Sequence, residues 1–171
     1  LAAIQPVCNG GSTGSLTAIA TGGAAPYTFN WSTGQSTIAI GALDAGTYAI
    51  TVTDTKSCTV SATETLTEPA AIAVSTNAQG SKCFNTATGY VVVNVTGGKA
   101  PYTYLLNGTV QSTDTFAGLL PGNYLVLVTD VNGCQGNSSF TVASPAQIFV
   151  DLTTTQQVIL TNMQTPLVAN S

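Results

Sequence analysis

Few side chains in this 171-residue chain can do covalent, metal-binding or acid–base chemistry: four cysteines, seven acids, three lysines, and no histidine or arginine. The cysteines fall into two matched pairs. When the chain is aligned on its internal repeat, Cys8 lies opposite Cys83 and Cys58 opposite Cys134. An even, repeat-locked set of this kind reads as one disulfide per repeat, Cys8–Cys58 and Cys83–Cys134, formed in an oxidising compartment. Closing loops of about 50 residues would stabilise each unit by roughly 3–4 kcal/mol in the chain-entropy picture. A metal site would need clustered ligands such as C-x-x-C or a Cys/His set. Neither spacing occurs, so no cofactor is expected.

Acid–base and nucleophilic chemistry find little support. A serine or cysteine nucleophile usually needs a histidine or lysine base, and the cysteines are expected to be paired. Glu64 and Glu68 are close in sequence but have no counterparts in the second copy. Asp54 and Asp130 do correspond, each just before a turn. Calcium needs about six or more oxygen ligands, and one acid per unit suits Asx-type turn bonding better. Lys56, Lys82 and Lys99 fall in turns or loop edges, which argues against a core isopeptide. The Asn30, Asn94, Asn107 and Asn137 sequons are of the frequency expected in a Thr- and Asn-rich chain. The chain is not expected to be an enzyme.

The elements that must carry these residues follow from the repeat. Thr21–Phe29 (TGGAAPYTF) returns 75 residues later as Thr96–Tyr104 (TGGKAPYTY), with seven of nine positions identical. After a net one-residue insertion, Tyr48 falls opposite Tyr124. A period this long means an array of modules. The expected units are 1–69 and 70–145, with 146–171 as a C-terminal strand segment. Alternation is clear in Tyr27, Phe29 and Trp31 and in Tyr48, Ile50 and Val52, which is the period of half-buried strands. Strands are expected over 15–21, 26–32, 36–40, 47–54 and 58–66. In the second unit they are expected over 70–76, 90–96, 101–106, 112–116, 123–130 and 136–142. No segment has helical period with caps. Short strands at this spacing, separated by Gly and Asn turns, give an all-β chain: two tandem Ig-like β-sandwich domains plus a short C-terminal β segment. Tyr48 and Tyr124 suit either a tyrosine corner or a simple core position.

Composition narrows the surroundings. Charged residues make up 6% of the chain and the net charge is −4, against about 25% charged residues in an average globular domain. Without clustered Lys and Arg there is no footprint for nucleic acid and no polybasic membrane patch. No apolar run reaches the 18 or so residues that a spanning helix needs, so membrane insertion is not expected. The N-terminus lacks a basic region followed by an apolar core, so a secreted chain would already have lost its signal. Low charge also removes repulsion between neighbouring copies, as suits a wall-like or filament-forming protein.

Three motifs together, C-N-G-G-S-x-G-S (Cys8–Ser15), T-G-G-x-x-P-Y-T-aromatic-x-W (Thr21–Trp31) and G-x-Y-x-I-x-V-T-D (Gly46–Asp54), resemble the SprB-type repeat of Bacteroidetes cell-surface adhesins. D-V-N-G-C (Asp130–Cys134) adds to this in the second unit, and the resemblance covers about residues 1–145. It implies secretion to the cell surface, an Ig-like sandwich, and a role in adhesion, surface filaments or gliding motility. It carries no catalytic residues. The second unit departs at Cys83-Phe84-Asn85 and at Leu106, which stands in the tryptophan position.

The copies differ where function could reside. Leu105, Leu125 and Leu127 replace Asn30, Ala49 and Thr51 on positions expected to face outward, and an apolar patch of that kind suggests an interface. The second unit has 13 residues between Pro69 and Cys83, while the first has seven before Cys8. The first unit is therefore expected to lack its first strand. The segment after Pro145 holds a spare one, with Ile148, Val150 and Leu152 as its apolar contacts. Strand addition to an exposed sheet edge joins chains, and a head-to-tail contact that does not close builds a filament. The expected function is an extracellular structural protein that self-assembles into a homopolymer, as a surface filament or adhesin stalk. The alternative is an adhesion module that binds a host or surface glycan or protein.

Overall fold

A computed structural model describes residues 1–150. Within them the chain is all-β, with thirteen strands and no helix. The first unit contains β1 (Ala2–Ile4), β2 (Gly14–Thr17), β3 (Thr28–Trp31), β4 (Ala39–Leu43), β5 (Gly46–Thr53) and β6 (Thr59–Leu66). They form two three-stranded sheets, ordered β1-β2-β4 and β3-β5-β6. The second unit contains β7 (Ala73–Gln79), β8 (Gly89–Thr96), β9 (Tyr102–Leu106), β10 (Thr109–Gln111), β11 (Thr115–Leu119), β12 (Gly122–Asp130) and β13 (Gln135–Val142). Its sheets are ordered β11-β8-β7 and β10-β9-β12-β13. In both units the first, second and fourth main strands face the third, fifth and sixth. That is the A-B-E against C-F-G order of an immunoglobulin sandwich, with β10 added beside β9 in the second.

Each sandwich has its own core. In the first, Leu16, Trp31, Ile40, Ile50 and Leu66 pack together. In the second, Val91, Leu106, Phe116, Val126, Val128 and Val142 do the same. Leu106 fills the place of Trp31, and Tyr124 stacks on Phe140 with ring centroids 5.3 Å apart. The alternation read from the sequence is the cause: on β12, Val126 and Val128 point inward and are fully buried, while Leu125 is exposed.

The repeated glycine-proline-tyrosine stretch is a loop that caps one end of each sandwich. Both of its Gly pairs have positive φ, which other residues rarely adopt. The hydroxyl of Tyr102 donates to the Gly97 carbonyl at 2.6 Å, and that of Tyr27 donates to the Gly22 carbonyl. Tyr48 and Tyr124 are tyrosine corners: their hydroxyls donate to the carbonyls of Asp44 (3.0 Å) and Leu120 (2.8 Å). Apolar periodicity alone could not distinguish a corner from a core tyrosine.

Two features correct the sequence reading. The first unit does have a first strand, since β1 pairs antiparallel with β2 over Ala2↔Thr17 to Ile4↔Ser15. It is three residues long, where β7 is seven. The expected pairings Cys8–Cys58 and Cys83–Cys134 do not form. The disulfide is Cys8–Cys134, joining the two units, and Cys58 and Cys83 are free and exposed. The reason is distance along the sandwich. The Cys8 loop lies against Glu68, just past the end of β6, whereas Cys58 immediately precedes its start. Eight strand residues separate those ends by about 26 Å, while a disulfide needs Cα atoms within about 7 Å.

Candidate functional site

The candidate site consists of the junction between the units and the two outer ends, which meet no such neighbour among the described residues. At the junction, the loop carrying Cys8 holds the linker. The Glu68 carboxylate accepts from the Asn9 side-chain amide at 2.7 Å and from the Gly10 backbone N–H at 2.6 Å. The Asn9 amide also donates to the Pro69 carbonyl at 3.2 Å. The chain then runs through Ala70–Ile72 across the second unit's Gly97-Gly98 loop. Gly98 N–H donates to the Ala70 carbonyl at 3.0 Å. A Cβ on Gly97 would sit 2.0 Å from the Ala71 carbonyl oxygen, and one on Gly136 would sit 2.7 Å from Ile72 Cγ2. Only glycine permits this approach, so Ala70–Val74 lies as a plug between the end of β8 and the start of β13. The Cys8–Cys134 bond, with a Cα separation of 5.5 Å, clamps the same junction.

Among the described residues, the equivalent place in the first unit holds no plug. Among the same residues, Gly22 has nothing within 4 Å of where its Cβ would be, and the three atoms nearest a Cβ on Gly23 all belong to Asp54. A groove of about 380 Å³ opens there, lined by Leu1, Ala18, Ile19, Val52, Cys58 and Val60 among others. Burial reflects the difference: Val52 is half-buried where its counterpart Val128 is fully buried. The Gly23 N–H, counterpart of Gly98 N–H, meets no backbone acceptor among the described residues.

The other outer end shows the converse. The Cys83 loop holds the exit from the second unit much as the Cys8 loop holds the linker: Asn85 N–H donates to Ser144 Oγ at 3.2 Å. Ser144-Pro145 thus takes the place of Glu68-Pro69. The next residues, Ala146–Val150, form no strand, and Ile148 is 89% exposed whereas its counterpart Ile72 is half-buried. Of the tail residues expected at an interface, Ile148 and Val150 are exposed and Leu152 lies outside the described residues.

The aspartates are structural latches. Asp130 Oδ1 accepts from Asn132 and Cys134 N–H at 2.8 and 2.9 Å, and its Oδ2 accepts from Lys99 N–H at 2.9 Å. Asp54 does the same with Lys56 and Cys58 (2.9 Å each) and Ala24 (3.1 Å). Each ties the Gly-Gly loop to the turn before the sixth strand. For Asp54, hydrogen bonds from Cys58 and Ala24 lower the pKa. Burial alone would raise that of Asp130, but backbone donors led by Lys99 and Cys134 outweigh it and lower the pKa. Among the described residues no three acidic or thiol groups cluster as metal ligands would.

The leucine substitutions do share a face. Leu105 and Leu127 are directly paired between β9 and β12, and Val110 on β10 pairs with Leu105. Leu125 is 58% exposed; Leu105 and Leu127 are half-buried. The sequence reading missed Val110 because β10 has no counterpart in the first unit.

Comparison with known proteins adds the family. Residues 3–36 and 75–111 match the SprB repeat. The chain therefore carries two SprB repeat matches, whose ends at 36 and 111 keep the 75-residue offset of the glycine-proline-tyrosine stretch. No curated protein matches the chain. Among solved structures, it is similar to an amphioxus IgVJ-C2 molecule at 12% identity and a TM-score of 0.36, covering 82% of this chain and 98% of that one. It is also similar to the N-terminal four Ig domains of Dscam1 isoform 6.44 at 13% identity and a TM-score of 0.36, covering 79% of this chain and 42% of that one. The Ig-like assignment itself rests on strand order. The SprB matches, the Ig-like sandwiches and the disulfide support an extracellular module of adhesin type.

Proposed function

We propose that this chain is a non-catalytic structural module of the cell surface that assembles head to tail, as a surface filament or adhesin stalk. One observation carries the reading: among the described residues the plug that fills the second unit's groove has no counterpart in the first, while a segment of the same pattern projects from the far end. Residues 68–74 read EPAAIAV and residues 144–150 read SPAQIFV. Seated as the internal plug is seated, Ala146 would offer its carbonyl to Gly23 N–H, and Ile148 would lie between Gly23 and β6. The addition extends a sheet edge with backbone hydrogen bonds and seats alternate side chains in the groove. Such a contact uses different surfaces on the two copies and leaves each end open, so it propagates. Val60 stands where the second unit has Gly136, so the donated strand must ride higher over β6 than Ile72 does over β13.

The test is association of the full chain under reducing conditions, followed by light scattering and negative-stain imaging. Concentration-dependent linear oligomers are expected. Truncation after Pro145, or Ile148→Asp, should leave monomers with an unchanged melting temperature. A truncated chain that still polymerised, or a full chain that stayed monomeric at high concentration, would sink the proposal.

A further inference from the structure

The two free cysteines occupy the repeat positions of the two bonded ones. Cys8 sits in the loop that grips the outgoing linker of its unit, and Cys134 sits beside the groove that receives that linker. They are bonded because the linker brings those two places together. Cys83 likewise sits in the loop that grips Ser144-Pro145, and Cys58 lines the open groove of the first unit. Both are exposed. They lie at the two outer ends of the tandem and are not bonded to each other within the chain.

From this correspondence we infer that Cys83 of one copy forms a disulfide with Cys58 of the next, so that the internal Cys8–Cys134 clamp recurs at every junction. The inference rests on the head-to-tail reading above and adds a covalent link to it. In chemical terms, a thiolate of one of the pair attacks a disulfide-bearing oxidant such as oxidised glutathione. It takes one sulfur as a mixed disulfide and releases the other as a thiol. The second cysteine's thiolate then displaces the remaining glutathione thiolate. Two protein thiols and one oxidised glutathione become one protein disulfide and two reduced glutathiones, so electrons and protons balance. The extracellular setting, where disulfides persist, suits the product.

The link makes a directional demand that mixing can test. Full-length chain incubated with oxidised glutathione should give a covalent ladder on a non-reducing gel, collapsed by dithiothreitol. Cys58→Ser alone and Cys83→Ser alone should each lose the ladder. An equimolar mixture of the two variants should give covalent dimers and nothing larger, because each variant keeps one cysteine of the pair and a single bond consumes both. Peptide mapping of that dimer should find Cys83 joined to Cys58. Covalent dimers from either variant alone would mean symmetric Cys83–Cys83 or Cys58–Cys58 bonding and would overturn the inference. So would a wild-type chain whose thiols stay free in oligomers that scattering shows to have formed, and that outcome would leave the head-to-tail reading standing. If scattering shows no oligomers under reducing or oxidising conditions, the head-to-tail reading fails and takes the link with it.

Discussion

Cys8 and Cys134 are 126 residues apart in sequence and 5.5 Å apart at Cα, and their bond joins one sandwich to the other. It is not a staple within either core. Each unit must therefore hold together through its apolar packing and its loop latches, and the bond fixes how the linker crosses between them. Thiol counting checks this directly. The oxidised monomer should show two reactive thiols, and a non-reducing peptide map should recover the Cys8–Cys134 pair. Recovery of Cys8–Cys58 would contradict the fold as described.

Acid should weaken both units through their aspartate latches. The folded pKa values of Asp54 and Asp130 are lowered, so the stabilisation is fully present above the unfolded aspartate value of about 3.9. It is lost as pH falls through the depressed folded values, because the unfolded chain then binds protons more readily. Thermal melts in that acid range should show the loss. Asp130→Asn should flatten the pH dependence and lower the melting temperature at neutral pH, since an amide nitrogen cannot accept the Lys99 N–H. The buried Asp130 should matter more than the half-buried Asp54.

Removing a corner hydroxyl tests a local bond in each unit. Tyr48→Phe and Tyr124→Phe leave the ring in place and remove the bonds to Asp44 and Leu120. Each should cost about 0.5–1.5 kcal/mol, measured by denaturant unfolding. A change near zero in both would mean that water replaces the protein acceptor without loss.

Equivalent valines should differ in their response to truncation. Val128 is fully buried under the plug, and Val128→Ala should cost about 2 kcal/mol or somewhat more. Val52, beside the open groove, should cost clearly less in the monomer. Equal losses would mean that the groove is closed in solution.

Trp31 is the only tryptophan, and it is buried in the first core with its indole N–H donating to the Thr37 carbonyl at 2.8 Å. Its emission should report unfolding of the first unit alone. With Cys8 and Cys134 both replaced by serine, fluorescence and far-ultraviolet dichroism should give separate transitions if the units unfold independently. Coincident transitions would show that the linker contacts suffice to couple them.

Much of this architecture is written in local pattern. Alternation in Tyr48, Ile50 and Val52 and in Val126 and Val128 dictates which faces turn inward, because strand side chains have a period of two. The repeated Gly-Gly and Pro-Tyr positions dictate the capping loops, because few residues accept positive φ. Aspartate before a tight turn dictates an Asx latch, since its carboxylate reaches the N–H groups two and four residues on. Cysteine pairing is not local in this way. Repeat equivalence says that Cys8 matches Cys83 and Cys58 matches Cys134, but it does not say which end of a sandwich each occupies. That depends on the direction of β6 and β13 and on where the linker crosses, and only the folded chain brings Cys8 and Cys134 within bonding distance while holding Cys8 and Cys58 a strand length apart. The filled groove of one unit and the open groove of the other were hidden for the same reason: a plug is a relation between a segment and a surface made by residues far along the chain.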